Sequence, residues 1–274
     1  MDTGVIIRVN GPIVEARNMD NTGMLEVVEV GDARLIGEVI RVRGGVATIQ
    51  VYEQTSGLHP GEPVYCSGRP LSVCLGPGLL GTIYDGIQRP LDKIARQSGA
   101  FIPLGSKTPA LDLDKAWHFK PLVKNGDHLE AGQVVGEVQE TESVLHRVMV
   151  PPRHRGVVSS MVSEGDYTGH DILCELTDEQ GGGRYDVTLF QYWPVRMPRP
   201  SMSRLALDAP LLTGLRVIDT FFPLAKGGAA AIPGGFGTGK TMTQQALAKW
   251  CEAKIIVYIG CGERGNEMTE VLRE

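Results

Sequence analysis

Short apolar segments that alternate with turn residues dominate residues 4–52 of the chain. The segments are rich in β-branched residues and lie at Val5–Val9, Ile13–Ala16, Leu25–Val30, Leu35–Val42 and Val46–Tyr52. Glycine, asparagine, aspartate or proline stands between them, as in the turns of antiparallel strands. Closely spaced strands without an intervening helix favour a small barrel, because closure of the sheet removes its exposed edges. Residues 1–70 are therefore predicted to form an N-terminal β-barrel.

Residues 111–190 show a second all-β pattern, separate from the first. The predicted strands lie near Val134–Val138, Val144–Val150, Gly156–Val162 and Ile172–Leu176. A weak internal repeat accompanies them, since residues 123–127 and 162–166 both place Gly-Asp in a turn before a strand. This arrangement resembles the flattened β-sandwich of biotinyl and lipoyl carrier domains. The expected hairpin tip at 139–143 has no lysine to which a cofactor could be attached, so we predict the fold without the carrier activity.

The pattern differs on either side of this module. Glycine-rich turns and a short helix within Ile83–Ala95 mark residues 71–110 as the start of another domain. Residues 191–274 are predicted to be α/β, with helices at Leu212–Phe222 and Met242–Glu252 and strands at Ala229–Ile232 and Ile255–Ile259. The continuous apolar run of the last strand is typical of buried parallel sheets. Two strands cannot cover both faces of such a sheet, so we expect the chain to end within this domain.

Composition and charge narrow the possible functions. Apolar residues make up 42% of the chain and charged residues 22%, which argues against general disorder. The formal net charge of -5 indicates no basic face, so we expect no nucleic-acid partner. We find no secretory signal pattern and no apolar run near the roughly 18 residues that a membrane span requires. Five cysteines without C-x-x-C spacing suit a reducing cytoplasm and disfavour a disulfide framework or a zinc site.

Residues 234–241 carry the strongest chemical signal. The string Gly234-Gly235-Phe236-Gly237-Thr238-Gly239-Lys240-Thr241 matches G-x-x-x-x-G-K-[ST] at every required position. Glycines let the backbone turn successive N–H groups toward anionic oxygens, and the following helix directs its positive end to the same place. Lys240 supplies a cation for the β- and γ-phosphates of a nucleotide, and the Thr241 hydroxyl can ligate Mg²⁺. The predicted strand and helix on either side are the context that this P-loop motif requires.

A second motif follows the predicted strand Ile255–Ile259, and it reads Gly260-Cys261-Gly262-Glu263-Arg264-Gly265-Asn266-Glu267-Met268. Ligands of doubly wound folds lie beyond the carboxyl ends of parallel strands, so Glu263 and Arg264 are expected near the phosphate loop. A carboxylate there can orient or deprotonate an attacking water, and a guanidinium can hold a phosphate oxygen. Spacing alone leaves a structural alternative open, in which the two side chains are a solvated charge pair at a helix start.

Together the two motifs resemble those of the catalytic A subunit of vacuolar- and archaeal-type (V/A-type) rotary ATPases. That family has a phosphate loop of the form G-[PA]-F-G-x-G-K-[ST], followed by G-[CS]-G-E-R-G-N-E-M, which stands here unbroken. The resemblance runs along the whole chain and includes residues 51–58, 76–91 and 210–241. It is specific, because F-type β subunits and flagellar-export ATPases lack the long insertion found here at 111–190.

The resemblance implies a multi-domain fold with three parts. These are a small N-terminal β-barrel, an inserted β-rich bulge, and the first part of an α/β P-loop (RecA-like) nucleotide-binding domain. The implied boundaries are 1–70 for the barrel, 71–110 and 191–274 for the nucleotide-binding domain, and 111–190 for the bulge.

The resemblance also implies an activity and its residues. Residues 234–241 would bind ATP or ADP with Mg²⁺, with Lys240 on the phosphates and Thr241 on the metal. Glu263 would be the catalytic carboxylate that activates water, and Arg264 its neighbour on the phosphate side. The implied reaction is in-line attack of water on the γ-phosphate, or its reverse, coupled to rotation and to proton or sodium transport.

Partners and location follow from the same resemblance. A B subunit would alternate with this one in a hexameric ring and supply an arginine finger. Central and peripheral stalk subunits would connect the ring to a membrane sector. The protein is therefore expected to be cytoplasmic and peripheral to the membrane.

Two kinds of departure from the family pattern stand out. Gly235 occupies a position where proline or alanine is usual, and Thr238 one where serine, alanine or cysteine is commoner. Gly235 should leave the phosphate loop looser before a ligand binds. Family members are also substantially longer, and the Walker B aspartate, the adenine-contacting aromatics and the C-terminal helical domain would lie beyond residue 274. We therefore expect residues 1–274 alone to be inactive.

Two other functions stay open at this point. The chain could be a non-catalytic module for assembly or stalk contact, which would not bind phosphate. It could also belong to another P-loop ATPase, such as an export or termination motor, although the insertion and the second motif disfavour this alternative.

Overall fold

The computed structural model describes residues 3–152, 154–178, 182–199, 201, 203–235 and 237–273. The chain forms two compact units, Met1–Pro200 and Ser201–Glu274. The first unit contains two β-domains, and the second contains the residues of both chemical motifs.

A closed six-stranded barrel forms from the N-terminal residues. Its strands are β1 (Thr3–Asn10), β2 (Ile13–Arg17), β3 (Glu26–Val30), β4 (Leu35–Arg43), β5 (Val46–Val51) and β6 (Pro63–Pro70). They pair antiparallel in the order β1-β2-β5-β4-β3-β6, and β6 pairs with β1 to close the sheet. Buried side chains alternate along β2, β3 and most of β5, as Val28 and Val30 do in β3, so that one face fills the interior. The predicted barrel is confirmed.

The sequence pattern missed β6, the strand that closes the barrel. It begins with Pro63, ends with Pro70 and contains Gly68 at a φ of 69°, all of which are features of turns rather than strands. The strand forms because β1 and β3 each offer it an unpaired edge. Tertiary pairing therefore overrides the local preference.

The segment after the barrel contains β7 (Ser72–Leu75) and α1 (Leu91–Ser98), the short helix that the sequence predicted. Arg89, which lies just before this helix, connects it to the barrel segment through an ion pair with Glu53. Its Nη1 lies 2.8 Å from Glu53 Oε2, and its Nε lies 2.6 Å from Asp85 Oδ2. The Glu53 side chain is only 4% exposed, so this ion pair is largely removed from solvent.

The inserted residues form a sandwich of two four-stranded antiparallel sheets. The strands are β8 (Trp117–Pro121), β9 (His128–Leu129), β10 (Val134–Gln139), β11 (Leu145–Met149), β12 (Gly156–Met161), β13 (Gly165–Tyr167), β14 (Cys174–Thr177) and β15 (Arg184–Val187). The sheet orders are β11-β10-β8-β13 and β15-β14-β12-β9. Phe119 is fully buried, and a Cβ at Gly136 would overlap its ring, so that position requires glycine. The predicted β-sandwich is confirmed.

The chain enters and leaves the sandwich at neighbouring positions. β16 (Gln191–Pro194) follows it and pairs antiparallel with β7, which precedes it. The two ends of the inserted module therefore lie side by side, as an insertion into another domain requires.

The unit Ser201–Glu274 contains short elements. They are β17 (Pro210–Leu211), α2 (Arg216–Phe221), β18 (Leu224–Ala225), α3 (Lys240–Trp250) and α4 (Gly265–Arg273). β17 and β18 pair antiparallel with each other. In the part of the chain that the structure describes, no helix is long and apolar enough to cross a membrane.

The helix predicted at Leu212–Phe222 begins only at Arg216. Gly214 has a φ of 79°, outside helical geometry. Asp219 accepts hydrogen bonds from the backbone N and the hydroxyl of Thr213 at 2.9 and 2.7 Å, and from Gly214 N at 3.1 Å. These bonds hold residues 213–214 in a turn, so the helix cannot start earlier. The hydrogen bonds also lower the pKa of Asp219 from its ordinary value.

The prediction of two strands in this unit was wrong. Residues 229–232 and 255–259 have no strand assignment and no ladder partner among the described residues. An extended segment needs a neighbour for its backbone N–H and C=O groups, and here none is supplied. Val257 and Ile259 are 77% and 81% exposed. Their apolar side chains therefore stand on the surface of this unit rather than inside a sheet.

A buried carboxylate links the barrel to the residues after the sandwich. Glu38, on β4, has a side chain that is 2% exposed, and it pairs through both oxygens with the Arg196 guanidinium. The Tyr52 hydroxyl donates a further hydrogen bond to Glu38 Oε2 at 2.7 Å. Burial alone would raise the pKa of Glu38, but the hydrogen bonds from Arg196 and Tyr52 outweigh it and lower that pKa.

We expect Tyr52→Phe to lower the free energy of unfolding by about 1 kcal/mol at pH 7, because Tyr52 is partly exposed and solvent weakens the lost bond. The Glu38 pKa is lowered on folding, so its stabilisation exists above about pH 4 and is lost as the pH falls through the folded value. The penalty of Tyr52→Phe should shrink in the same acid range. Urea unfolding at several pH values measures it, with Tyr65→Phe as the matched barrel control. A penalty that stays constant through the acid range in which folded Glu38 becomes protonated would contradict this explanation.

Candidate functional site

The phosphate loop has the backbone geometry that its glycines permit. Gly237 and Gly239 have φ values of 77° and 82°, a region that side chains with a Cβ rarely adopt. A Cβ at Gly234 would overlap the Thr238 hydroxyl. Three glycines are therefore needed where the loop turns toward α3.

The Thr238 hydroxyl braces the loop by donating to the Gly235 carbonyl oxygen at 2.9 Å. Gly235 itself has open space around the position of a Cβ. The methyl group of an alanine would thus fit here, and its absence costs no packing contact in this unit. Phe236, also predicted as a phosphate-loop residue, lies outside the described residues.

The helix α3 begins directly at Lys240, with Gly239 as its N-cap in the left-handed conformation. The first N–H groups of a helix have no partner within it, and the helix dipole makes this end positive. Lys240 and Thr241 lie half-buried in this first turn. The sequence thus places a cation, a hydroxyl and unpaired N–H groups at one helix end.

The second motif forms the turn that leads into α4. A Cβ at Gly260 would overlap the Met268 sulfur, so the motif's first glycine and last methionine pack against each other. Gly262 has a φ of 71°, and Met268 N donates to the Arg264 carbonyl oxygen at 3.2 Å. Glu263 and Arg264 therefore lie at the N-terminal end of α4, and both are exposed.

The two motifs meet at one cleft of about 440 Å³. The described residues that line it are Ile232, Gly235, Gly237, Thr238, Gly239, Lys240, Thr241, Met242, Gln244, Gly262, Glu263, Arg264 and Glu267. Lys240, Thr241, Glu263 and Arg264 are thereby brought together, whereas Gly234 is not among the lining residues. The volume lies within the range of about 300–1,000 Å³ typical of ligand sites. The start of α3 and the start of α4 both face this cleft, which favours an anion.

Two lining residues with polar side chains were given no role from the sequence. Gln244 stands on α3 after the phosphate loop, and Glu267 stands in the first turn of α4. Glu267 follows Glu263 by four residues in the same motif, and α4 begins between the two at Gly265. The usable signal was therefore the motif itself, which keeps the two carboxylates close along the chain.

The fold and the cleft define a P-loop nucleotide-binding domain preceded by two β-domains. Family comparison gives the same three parts. Residues 6–68 match the ATP synthase alpha/beta family, beta-barrel domain; residues 108–196 match the ATP synthase alpha/beta subunit barrel-sandwich domain; and residues 214–274 match the ATP synthase alpha/beta family, nucleotide-binding domain. The chain belongs to the ATP synthase alpha/beta family.

Curated relatives are similar along the whole chain. The A subunit of the A-type ATP synthase of Saccharolobus solfataricus is 56% identical over 100% of this chain and 46% of its own length. The V-type ATP synthase alpha chain of Clostridium novyi is 54% identical over the same shares. The chain thus spans about half the length of the relatives it matches. The predicted resemblance to V/A-type A subunits is confirmed.

A solved structure supports the fold at lower identity. The assembled ATPase EscN of the enteropathogenic E. coli type III secretion system matches with a TM-score of 0.55 and 19% identity. The match covers 98% of this chain and 44% of that one. At this identity the likeness concerns the fold alone.

Proposed function

We propose that this chain is the front part of the catalytic subunit of a V/A-type rotary ATPase or ATP synthase. In a protein of the relatives' full length it would hydrolyse or synthesise ATP, coupled to proton or sodium transport. The cleft that joins the phosphate loop to Glu263 and Arg264 carries this proposal. A module for assembly alone would have no need of such a cleft.

The phosphates would bind at the start of α3. The backbone N–H groups at 237–241, the positive helix end and the Lys240 ammonium all favour an anion there. Mg²⁺ in nucleotide sites usually takes one or two protein oxygens and completes its shell with phosphate oxygens and water. The Thr241 hydroxyl, which lines the cleft, fits that donor set. When bound, the ion would neutralise phosphate charge.

The proposed hydrolytic step uses Glu263 as the general base. The water oxygen would form a bond to the γ-phosphorus in line with the bond to the bridging oxygen. The Glu263 carboxylate would accept the water proton, and the bridging oxygen would leave with ADP. Arg264, on the same turn, would hold a γ-phosphate oxygen. Synthesis would run the same steps in reverse.

Partners and location are part of the proposal. A B subunit would complete a hexameric ring and supply an arginine finger, and stalk subunits would connect the ring to a membrane sector from the cytoplasmic side. Exposed apolar side chains in the nucleotide-binding unit support further packing, among them Phe221, Phe222, Val257 and Ile259 at 70–81% exposure.

The preference of the protein for ATP and ADP over AMP tests this proposal. In the full-length protein with Mg²⁺, we expect ATP and ADP to bind at least about 100-fold more tightly than AMP, because AMP lacks the phosphates that the loop and Lys240 contact. Isothermal titration with ATP, ADP, AMP and adenosine measures the difference. AMP binding as tightly as ADP, or no nucleotide binding at all, would favour the assembly module instead.

A further inference from the structure

A second cleft lies in the unit Met1–Pro200, which contains neither of the two chemical motifs. Its volume is about 240 Å³. Much of its lining is apolar and comes from the barrel, from the segment after β6 and from the loop before β8. These apolar lining residues include Val27, Ile36, Leu71, Ile87, Pro109 and Leu111.

The charged side chains that line this cleft are all cations. Arg69, Arg89 and Lys107 line it, and no carboxylate does so among the described residues. Arg89 is bound to Glu53 and Asp85, and the Lys107 ammonium lies 2.6 Å from Glu29 Oε1. Arg89 and Lys107 are therefore each paired with carboxylates outside the cleft lining, which leaves Arg69 as the lining cation to consider for a partner.

Arg69 differs from the other two cations. No described carboxylate lies within ion-pair distance of it, and its guanidinium carbon stands 5.2 Å above the Tyr192 ring. Tyr192 is 60% exposed. An arginine stacked on an aromatic ring keeps its N–H donors available for a partner. Arginine and tyrosine are also among the residues most enriched at the positions that dominate binding energy at interfaces.

An exposed apolar loop leads directly into the cleft. Phe101 is 85% exposed, Ile102 is 42% exposed and Leu104 is 50% exposed. Ser106, two residues further along the chain, already lines the cleft. The apolar surface thus extends beyond the cleft itself, as in surfaces that bind another protein.

We infer that this cleft and its rim bind an acidic peptide segment of a partner protein, with one apolar side chain in the cleft and a carboxylate on Arg69. The cleft's volume of about 240 Å³ suits one or two side chains and falls below the roughly 300 Å³ at which drug-sized ligand sites begin. The neighbouring apolar loop would contact the rest of the segment. This inference concerns a different surface from the nucleotide cleft and does not depend on the proposed activity.

A display library of random dodecapeptides tests the inference. The library is selected on the chain and counter-selected on its Arg69→Glu variant. Enriched peptides should carry aspartate or glutamate within a few positions of an aromatic or aliphatic residue. Their affinity, measured by fluorescence anisotropy, should fall at least about tenfold in Arg69→Glu, because the cation becomes an anion. Exchanging the peptide's acidic residues for lysine should restore binding to that variant.

Arg43→Glu is the matched control, since Arg43 is exposed on the barrel strand β4 and does not line the cleft. Its peptide affinity should stay within about twofold of the unchanged chain, because it lies outside the binding surface. Circular dichroism melting checks that both variants fold, and Tyr192→Leu gives a second, milder perturbation. Enriched peptides without acidic residues, equal losses in the Arg69 and Arg43 variants, or competition by single-stranded DNA would overturn the inference.

Discussion

Lys240→Ala should reduce ATP hydrolysis by the assembled full-length protein to background, a loss of at least about 10³-fold. The substitution removes the cation at the start of α3, where phosphate charge has to be neutralised while the γ-phosphoryl group is transferred. Lys240 lines the cleft together with Glu263, so the effect should appear in turnover and in nucleotide affinity alike. Steady-state phosphate release and equilibrium ATP binding, measured on the same preparation, give both quantities.

Lys249→Ala is the matched control for this prediction. Lys249 stands near the other end of the same helix, where it lies over the Trp250 ring, and it does not line the nucleotide cleft. Its removal should leave turnover within about twofold of the unchanged protein, because distant sites act independently. Similar losses in both variants would mean that α3 had been destabilised. Normal turnover in Lys240→Ala would refute the assignment of the phosphate loop.

The two β-domains were largely predictable from the sequence, because the patterns that indicate their strands and turns lie within short stretches of the chain. Alternation of apolar residues identified the barrel strands up to Val51, and the Gly-Asp repeat indicated the sandwich, although the sandwich strands β8, β9, β13 and β15 were not predicted. β6 was missed, since Pro63, Pro70 and Gly68 signal a turn and only the unpaired edges of β1 and β3 make this segment a strand. Strand formation depends on neighbours that local sequence does not reveal.

The nucleotide-binding unit was less predictable for the same physical reason. Residues 229–232 and 255–259 have apolar runs typical of buried strands, but a strand requires a hydrogen-bonded partner. The start of α2 depended on Asp219 binding back to Thr213 and Gly214, a contact between side chain and backbone that periodicity does not predict. Helix α3, which needs no partner for its hydrogen bonds, formed within two residues of its predicted start.

The candidate site followed from motif spacing more than from secondary structure. The glycine positions of the phosphate loop and the proximity of Glu263 and Arg264 were expected, although the strand expected to precede the turn is absent. The sequence could not show that Met268 packs on Gly260 and so fixes the turn that carries Glu263. It also could not decide between a catalytic carboxylate and a charge at a helix start, because both need the same residue in the same place.

Glu263→Gln should separate chemistry from binding. Glutamine keeps the side-chain volume and much of the hydrogen bonding but cannot accept the proton of the attacking water. General-base catalysis contributes about 10²–10⁴-fold, so the activation barrier should rise by roughly 3 kcal/mol or more. If Glu263 only interacted favourably with the positive N-terminal end of α4, it would contribute at most about 1 kcal/mol to stability. Its replacement by glutamine would then leave the rate of hydrolysis nearly unchanged.

Glu270→Gln provides the comparison within the same helix, because Glu270 is exposed on α4 and does not line the cleft. The decisive measurement is the rate of ATP hydrolysis and the ATP affinity of the Glu263→Gln and Glu270→Gln assemblies, determined side by side. We expect Glu263→Gln to bind ATP within a few-fold of the unchanged assembly and to hydrolyse it at least about 100-fold more slowly. Glu270→Gln should match the unchanged assembly in both affinity and rate. Hydrolysis by a correctly assembled Glu263→Gln protein at the unchanged rate would contradict this assignment, since a group other than Glu263 would then have to activate the water.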